Sequence, residues 1–598
     1  MILSALYEYY QRMVNDESSG IPTPGYTNQQ LTHIVEISEQ GLLERVILLG
    51  DSGKSGSTGQ RVMVPWTLEA ACRKSNIAAY VLVDKAKYAL GIEGHTLTPE
   101  HGRAFRSIVE ELGAQTQDLG ILAVQRFLQV WNPRKALEWD DKGAITSGII
   151  AFKLHGDSCL VHEREAFRKY WKDNWLNWRR GKFKVKAKCL VTGCEQNIAR
   201  IHQPLKEVKD SQSTGAALVS FNKDAFSSYG KEQNYNAPVG EEAAFAYTTA
   251  LNHLLHKENG HCVQIGDATT VFWADVPRAE AVLHLLIAPE AADQVAASGE
   301  EFRDADGLNS QEVLEMLTAF SNGESEPLPF CNKALLETQC HILGLQANKA
   351  RLAVRFWHCG RLGELVHTVG RHYAVLAIER QYDFQPRLPS IRQLLCAAAS
   401  HQIRKKPHFN EFDTIPPILG GALVRSILTG TCYPKSLFST VLSRIRTDRQ
   451  VTYLRAAALK ACLLRNYPEV AGNIHISLDE GRTDVPYLLG RLFAIVEKKQ
   501  QGAMGIEIGG AFRDRYFNIA STSPSRIFPE LLRLSRQRVK SVAFANAHAK
   551  KIRDVMLFID SFPARLTLQE QGVFNIAYYH QKNVYYRTSN EEPLHGHH

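Results

Sequence analysis

The chain has 598 residues, of which 44% are hydrophobic and 22% charged, with a formal net charge of +8. This length predicts about three to four domains, and the composition is typical of a folded globular protein. No apolar run approaches the ~20 residues that a membrane helix needs, so we expect a cytoplasmic protein with no membrane partner. Glu8 and Arg12 interrupt the apolar N-terminal run, which predicts a packed helix and not a signal peptide.

The cysteine pattern favours reduced thiols over a disulfide framework. Eleven cysteines occur without regular spacing, and without a secretory signal this predicts a reducing compartment. Cys189 and Cys194, with His202 downstream, come nearest to a zinc-ligand set, but no second Cys/His pair completes a tetrahedron. We therefore expect no metal and no cofactor, and we interpret Cys189 and Cys194 as core residues.

The front of the chain alternates between strand-like and helix-like segments. Helical periodicity covers residues 99–112 and 241–255. Short β-branched or aromatic runs bounded by turn residues predict strands at 45–49, 79–83, 148–154, 216–221 and 270–274. This alternation indicates a mixed α/β region up to about residue 285.

An acidic stretch separates this region from a helical rear. Residues 289–326 hold ten acidic residues and one basic residue, so the remainder of the chain carries +17. A helix-like core at 310–320 lies within this stretch, and a strand is predicted at 351–357. Beyond about residue 390, apolar stripes predict helices at 453–466, 485–500 and 528–544.

The predicted fold class is therefore α+β, with a mixed α/β N-terminal region followed by an all-α C-terminal helical bundle. We predict an N-terminal α/β domain and a central α/β domain with a basic strand. An acidic insertion or linker with a connecting α/β segment follows, and then the helical bundle. The predicted bounds of these four domains are 1–140, 141–288, 289–390 and 391–598.

A Gly-Lys-Ser sequence after the first predicted strand suggests a phosphate-binding loop. The P-loop pattern needs a glycine five residues before Gly53, and that position holds Leu48. The flexible-loop interpretation is therefore favoured, and the alternative of a P-loop-like nucleotide-binding protein using residues 50–55 stays open. A Gly/Ser loop can also contact phosphates without hydrolysis, so Lys54 is a candidate nucleic-acid contact.

The densest positive charge lies at residues 168–188, which hold nine Lys/Arg and one acid. Trp171, Trp175 and Trp178 share a helical face there, and are more often core than a base-stacking platform. A lysine at every second position after Gly181 predicts a strand with one cationic side, which an anion would stabilise. The alternative is an edge strand protected by lysines. The candidate contacts are Lys172, Arg179, Arg180, Lys182, Lys184, Lys186 and Lys188.

Three further places carry candidate contacts. The polar stretch 227–238 offers donors and acceptors for base edges or phosphates, although a capping loop explains it equally well. A turn before residue 79 is a weaker candidate, with a solvated turn favoured, and a basic helix face near residue 533 is as often solvated. These candidates are Lys231, Gln233, Asn234 and Asn236; Lys74 and Asn76; and Arg533, Arg536, Arg538 and Lys540.

Several segments in chain order resemble one family over the whole length of the chain. They include MILSALYEYYQR at the start, VDKAKYALG (83–91), the long segment from Cys189 to Leu255, IGDATTVFWA (265–274), YLLGRLFAIVEKKQ (487–500) and FNIAYYHQK (574–582). Together they resemble the large subunit of the type I-C CRISPR Cascade surveillance complex.

This resemblance implies a protein that is not an enzyme and that works in RNA-guided antiviral DNA surveillance. Such a subunit recognises the protospacer-adjacent motif in double-stranded target DNA, helps to open the helix and contacts the 5′ handle of the guide RNA. It recruits a separate helicase–nuclease after DNA binding, while base pairing reads the target sequence. Its C-terminal part resembles a small subunit. The implied partners are the guide RNA, target DNA and its displaced strand, repeated guide-RNA backbone subunits, a guide-RNA 5′-end subunit and a small subunit.

Overall fold

The computed structural model describes residues 1–49, 59–73, 76–138, 145–178, 185–287, 333–399, 417–504, 506–536 and 542–591, with Glu315 and Ala319 between them. These residues form two compact units. Unit 1 comprises Met1–Gly260 with Ala347–Ala353, and unit 2 comprises His261–Gln346 with Val354–His598. Within the described parts of both units, no helix is both long enough and apolar enough to span a bilayer.

Unit 1 is built from short strands and helices. Its strands are β1 (Tyr26–Leu31), β2 (His33–Ile37), β3 (Leu43–Leu48), β4 (Gln60–Pro65), β5 (Val83–Lys85), β6 (Ile92–Glu93), β7 (Thr96–Leu97), β8 (Ile149–Leu154), β9 (Lys186–Lys188) and β10 (Glu195–Asn197). Its helices are α1 (Ile2–Met13), α2 (Leu68–Ala71), α3 (Ala86–Ala89), α4 (Pro99–Thr116), α5 (Leu119–Val130), α6 (Lys135–Glu138), α7 (Glu165–Asn174) and α8 (Glu241–Leu255). The predicted opening helix and the helices at 99–112 and 241–255 are confirmed.

The main sheet of unit 1 has the strand order β3-β2-β8-β5. Strand β2 pairs in parallel with β8, and the other two pairs are antiparallel. Because β2 and β8 lie on either side of residue 140, the predicted boundary between domains 1–140 and 141–288 would divide one sheet. The compact unit instead continues to Gly260.

Two predicted strands of unit 1 do not form as predicted. In the 79–83 segment, Leu82 adopts a left-handed φ of 59°, and the Tyr80 N–H donates to the Asp84 carboxylate at 2.7 Å. The chain therefore turns around that carboxylate, and a strand begins only at Val83. The 216–221 segment makes isolated bridges alone, at Ala216 and Ala217. The strands predicted at 45–49 and 148–154 are confirmed.

Unit 2 begins with a four-stranded sheet in the order β11-β12-β13-β14, formed by Cys262–Ile265, Ala268–Ala274, Gln339–Asn348 and Arg351–Arg361. The tip of the last two strands, Ala347–Ala353, belongs to unit 1. The strands predicted at 270–274 and 351–357 are confirmed. Helices alone follow to residue 591 among the described residues, as expected for the α+β class.

The helices of unit 2 are α9 (Pro277–Ile287), α10 (Lys333–Leu336), α11 (Leu362–Leu376), α12 (Ile391–Ala397), α13 (Pro417–Thr429), α14 (Lys435–Asp448), α15 (Tyr453–Asn466), α16 (Pro468–Ala471), α17 (Val485–Met504), α18 (Ile506–Thr522), α19 (Pro524–Leu534), α20 (Val542–Met556) and α21 (Leu568–Glu591). The helices predicted at 453–466 and 485–500 are confirmed. The single helix predicted at 528–544 is wrong, because α19 ends at Leu534 and α20 starts at Val542. The acidic helix at 310–320 lies outside the described residues except for Glu315 and Ala319.

One hydrophobic core runs through unit 2 from the sheet to the last helix. Phe493 is fully buried within it and packs against the rings of Phe517, Phe574 and Tyr578. Since sheet residues such as Phe272 share this core with the helices, the predicted boundaries at residues 288 and 390 do not separate compact units.

Candidate nucleic-acid interface

Unit 1 has a cavity of about 200 Å³ whose walls come from segments far apart in the sequence. Its lining residues come from the chain at 71–73, 201–204, 214–222 and 233–234, with Ala350 from the hairpin tip. The segment Ala71–Arg73, which precedes the first candidate turn, and the polar stretch 227–238 therefore border one cavity. The sequence predicted each region separately and did not place them together.

Arg73, which lines one side of the cavity, is tied to Ala78 and Asp84. Its guanidinium donates to both carboxylate oxygens of Asp84, at 2.8 and 2.7 Å, and to the Ala78 carbonyl at 2.9 Å. It also lies over the rings of Tyr80 and Tyr88, 5.0 and 4.3 Å from their centroids. A bidentate, largely buried pair of this kind holds the backbone rigidly. Asn76 is exposed beyond this anchor, and Lys74 lies outside the described residues.

The polar stretch on the other side contains a short 3-10 helix, Gln233–Asn236. Asn236 stabilises the loop itself, since its amide donates to the carbonyls of Lys231 and Gln233 and its oxygen accepts from the Ser228 N–H. Asn234 is buried and its amide donates to the Val219 carbonyl. The loop-building interpretation therefore describes both asparagines.

Gln233 and Lys231 remain suited to contact a ligand. Gln233 lines the cavity, and its buried Oε1 has no hydrogen-bond partner among the described residues. Since a buried polar atom without a partner costs free energy, a ligand donor at this position would be stabilising. Lys231 is exposed on the same loop.

Tyr229 is a feature that the sequence analysis missed. Its side chain is 99% exposed, and its φ of 53° lies in the left-handed region, as does the φ of 47° at Gln233. Non-glycine residues in this region are strained and concentrate at functional sites. The only sequence signal was the Tyr-Gly pair inside a polar run, which is typical of ordinary turns as well.

The hairpin tip supports the wall of the cavity that precedes this loop. Ala217 exchanges backbone hydrogen bonds of 2.9 Å with Ala350 and Leu352. Arg351 hydrogen-bonds to the Asn222 side chain and lies 4.7 Å from the centroid of the Phe226 ring. The chain from 217 to 226 is therefore held in place without a regular strand.

His202 contributes a neutral imidazole to the cavity. Burial lowers its pKa to about 4, so the ring is uncharged near neutral pH. Its Nδ1 is 2.6 Å from the Tyr247 hydroxyl, and its buried Nε2 has no partner among the described residues. Cys189, which the sequence places near His202 in an incomplete zinc-ligand pattern, is buried, and its sulfur accepts from the Gly240 N–H at 3.2 Å. Cys194 is exposed, so its interpretation as a core residue is wrong.

The described residues include only the last part of the predicted basic strand. Strand β9, Lys186–Lys188, pairs with Glu195–Asn197, and both of its lysines are exposed. Lys188 lies opposite Glu195, which offsets part of its charge. Lys172 is exposed on α7. Arg179, Arg180, Lys182 and Lys184 lie outside the described residues.

The three tryptophans of this region are core residues. Trp171 is fully buried and its indole N–H donates to the Gly25 carbonyl at 2.7 Å. Trp175 packs on the rings of Trp66 and Phe245, and Trp178 is also buried. They are therefore not a base-stacking platform, and none of the three can stack on a base next to the positive charge of this segment.

The C-terminal basic face differs from its prediction. Arg533 is exposed but forms a bidentate ion pair with Glu530, at 2.7 and 2.8 Å. Arg536 follows the end of α19, and Arg538 and Lys540 lie outside the described residues. Because the helix ends at Leu534, Arg536 does not lie on the same helix as Arg533, and the roles of Arg538 and Lys540 stay predictions.

The Gly-Lys-Ser loop, with Lys54, lies in residues 50–58, outside the described residues. Strand β3 precedes it and strand β4 follows it. A P-loop leads from a strand into a helix whose N-terminus binds phosphate. The described flanks do not have this arrangement, so nothing in them favours the P-loop alternative. No group of three or more His, Cys, Asp or Glu side chains that could hold a metal occurs in the described part of the chain.

The sequence model of a family described as CRISPR-associated protein (Cas_Csd1) matches residues 6–586. A search of curated proteins found no match. The family match covers both units and every candidate contact named above.

Proposed function

Because the chain belongs to the Cas_Csd1 family of CRISPR-associated proteins, we propose that it is the non-catalytic large subunit of a type I-C Cascade complex. In this proposal it recognises the protospacer-adjacent motif, helps to open the DNA and contacts the 5′ handle of the guide RNA. It then recruits a separate helicase–nuclease. Its other partners are the repeated backbone subunits, the guide-RNA 5′-end subunit and the small subunit, in the cytoplasm.

The cavity of unit 1 is the observation that carries the motif-reading part of the proposal. A short duplex motif is read by a few fixed donors and acceptors that meet base edges. Arg73 holds one wall rigidly through Asp84, and Gln233 presents a buried oxygen without a partner among the described residues. Rigid positioning and unfilled hydrogen-bonding capacity are the two properties that base reading requires.

The roles of Gln233 and Lys231 are separable by experiment. Gln233→Ala in the assembled complex should reduce the preference for motif DNA, because base contacts carry specificity of about 1–3 kcal/mol. Lys231→Ala should weaken binding to all duplexes equally. It should also reduce the slope of log K against log salt concentration by about 1, as expected for the loss of one phosphate contact. Filter binding of motif and scrambled duplexes across a salt series measures both effects.

Lys257→Ala is the matched control, since Lys257 is an exposed lysine of the same unit outside the cavity lining. If Gln233→Ala keeps the full motif preference, this cavity does not read the motif.

Tyr229 is the residue that we propose for helix opening. An aromatic ring that is 99% exposed on a strained loop is placed to stack on a base pair as its neighbour separates. Tyr229→Ala should leave binding of the closed duplex intact and reduce strand separation, measured by permanganate reactivity of thymines next to the motif. Unchanged reactivity would remove Tyr229 from this role.

The proposal that the chain is non-catalytic has its own test. The purified chain should neither cleave DNA with Mg²⁺ or Mn²⁺ nor hydrolyse ATP or GTP. Nucleotide turnover that Lys54→Ala abolishes would instead support the P-loop alternative, and metal-dependent cleavage would make the chain a nuclease.

A further inference from the structure

Unit 2 has a cavity of about 310 Å³ whose lining contains none of the candidate nucleic-acid contacts named above. Aromatic side chains form much of its wall. Tyr382 and Phe384 stack with ring centroids 5.4 Å apart and planes 9° from parallel, and Tyr586 lies 6.1 Å from Tyr382. Its polar wall includes Arg513, Lys582 and Asn583.

The two stacked rings are presented to solvent by a well-braced loop. Phe384 is 83% exposed and Tyr382 is 42% exposed. Arg380 donates to the carbonyls of Asp383 and Gln385, at 2.8 and 2.9 Å. The Gln385 side chain accepts from the Tyr382 N–H at 3.1 Å. Because these contacts fix the loop, the exposed rings are a preorganised surface and not a frayed end.

The polar wall carries an excess of positive charge. The buried Glu497 carboxylate accepts from the Tyr578 hydroxyl at 2.7 Å, and Lys582 donates to the same hydroxyl at 3.2 Å. Arg513 also interacts with Glu497 and Tyr578. Burial raises the pKa of Tyr578 well above its usual value, so the phenol stays neutral. Two cations therefore share one buried carboxylate.

Asp514 also attracts Arg513. Its carboxylate is half exposed, however, and its Oδ1 also pairs with Nη1 of Arg449 at 3.7 Å. Burial lowers the pKa of Lys582, and Arg513 lowers it further while Glu497 opposes both. An anion in the cavity would relieve the repulsion between the two cations.

This combination selects among ligand classes. An apolar ligand would use the rings and leave the cations unmatched, while a small inorganic anion would leave the exposed rings unused. A nucleotide of a single strand offers a planar base and a phosphate within one unit, which is the pairing that single-strand binding sites use.

We propose that this cavity binds an unpaired nucleotide of single-stranded DNA, with its base against Phe384 and Tyr382 and its phosphate towards Arg513 and Lys582. The inference rests on the proposed function, because an opened duplex supplies the unpaired strand. The guide RNA carries the same chemistry, so DNA and RNA strands are compared directly.

The test uses the full-length chain and short oligonucleotides that contain one 5-iodouracil. Irradiation should crosslink the DNA oligonucleotide to Phe384, Tyr382 or Tyr586, identified by mass spectrometry. Phe384→Ala should remove the crosslink and weaken single-strand binding roughly tenfold, within the range for loss of one stacked base, whereas Phe384→Trp should retain both. Phe558→Ala is the matched control, because Phe558 is a 56% exposed ring of the same unit outside this cavity.

The outcomes separate this inference from the function on which it rests. Equal single-strand affinity of the Phe384→Ala and Phe558→Ala variants, or crosslinks only elsewhere, would overturn the cavity assignment even if the complex binds motif duplexes. If Phe384→Ala weakens binding of the RNA oligonucleotide but not of the DNA oligonucleotide, the assignment to DNA is overturned. A complex that fails to bind motif duplexes would contradict the proposed function, while Phe384-dependent crosslinking of single strands would still support the cavity.

Discussion

The two units hold their functional candidates in different ways. Unit 1 has small sheets and long irregular segments, and side-chain hydrogen bonds from residues such as Arg73 and Asn236 fix those segments. Unit 2 is organised around one large apolar core that includes Phe493. Its candidate cavity lies where a braced loop meets two helix-borne cations.

This difference predicts how each unit responds to change. In unit 1, substitution of Arg73 removes a structural anchor and a cavity-lining side chain together, because Arg73 both lines the cavity and holds its wall through Asp84. In unit 2, packing determines stability, and an exposed ring such as Phe384 can be removed without disturbing the core.

The largest expected effect is the loss of the Arg73 anchor. Arg73→Ala leaves the Asp84 carboxylate, whose side chain is 1% exposed, without its cation, which costs about 3–5 kcal/mol for a buried pair. Thermal unfolding should show unit 1 destabilised and duplex binding lost. Arg533→Ala removes a solvent-exposed pair of unit 2 and should leave the free energy of unfolding almost unchanged, because exposed ion pairs contribute little. Equal costs for both variants would refute the proposed contrast between the units.

Acid should affect unit 1 through His202. Its pKa is about 4 in the fold and about 6.5 in the unfolded chain, so the unfolded chain binds more protons between these values. The contribution of neutral His202 to the free energy of unfolding is therefore complete above pH 6.5. It falls, by on the order of 3 kcal/mol, as the pH drops towards 4. His202→Gln should have a flatter pH dependence of unfolding than wild type. Identical slopes would contradict the buried, neutral state of His202.

A packing change should act on unit 2 alone. A Cβ at Gly490 would clash with the Phe574 carbonyl oxygen and lie 2.8 Å from the Ala577 Cβ, so the helices α17 and α21 would have to separate. Gly490→Ala should cost about 1–3 kcal/mol, as overpacking does, and leave duplex binding at permissive temperature unchanged. Gly481→Ala, where the nearest atom is 3.5 Å away, should cost much less in the same denaturant titration.

The smallest effect concerns the basic strand. Replacing both Lys186 and Lys188 with Gln should reduce the slope of log K for duplex binding against log salt concentration. The reduction should not exceed that for the loss of about two phosphate contacts. The melting temperature should stay unchanged, because both side chains are exposed. A salt slope equal to that of wild type would assign these lysines to protection of a strand edge.

Sequence periodicity predicted the regular parts of both units well. The helices Glu241–Leu255 and Tyr453–Asn466 have the predicted bounds, because their apolar positions follow the helical repeat. The failure at 79–83 arises because the neighbouring Asp84 carboxylate accepts the Tyr80 N–H, a side-chain contact that strand periodicity does not encode. The failure at 216–221 arises because the hairpin tip, distant in sequence, organises that segment. The candidate loops were found from composition, but their meeting at one cavity depends on tertiary contacts that no single segment encodes.

The central claim is that the cavity bordered by residues 71–73 and 233–234 contacts motif DNA. Hydrogen–deuterium exchange of the assembled complex, with motif duplex and with scrambled duplex, tests it most directly. We predict that motif DNA slows amide exchange at residues 71–78 and 222–236 more than scrambled DNA does. Saturated binding of motif DNA with unchanged exchange in both segments would contradict the account.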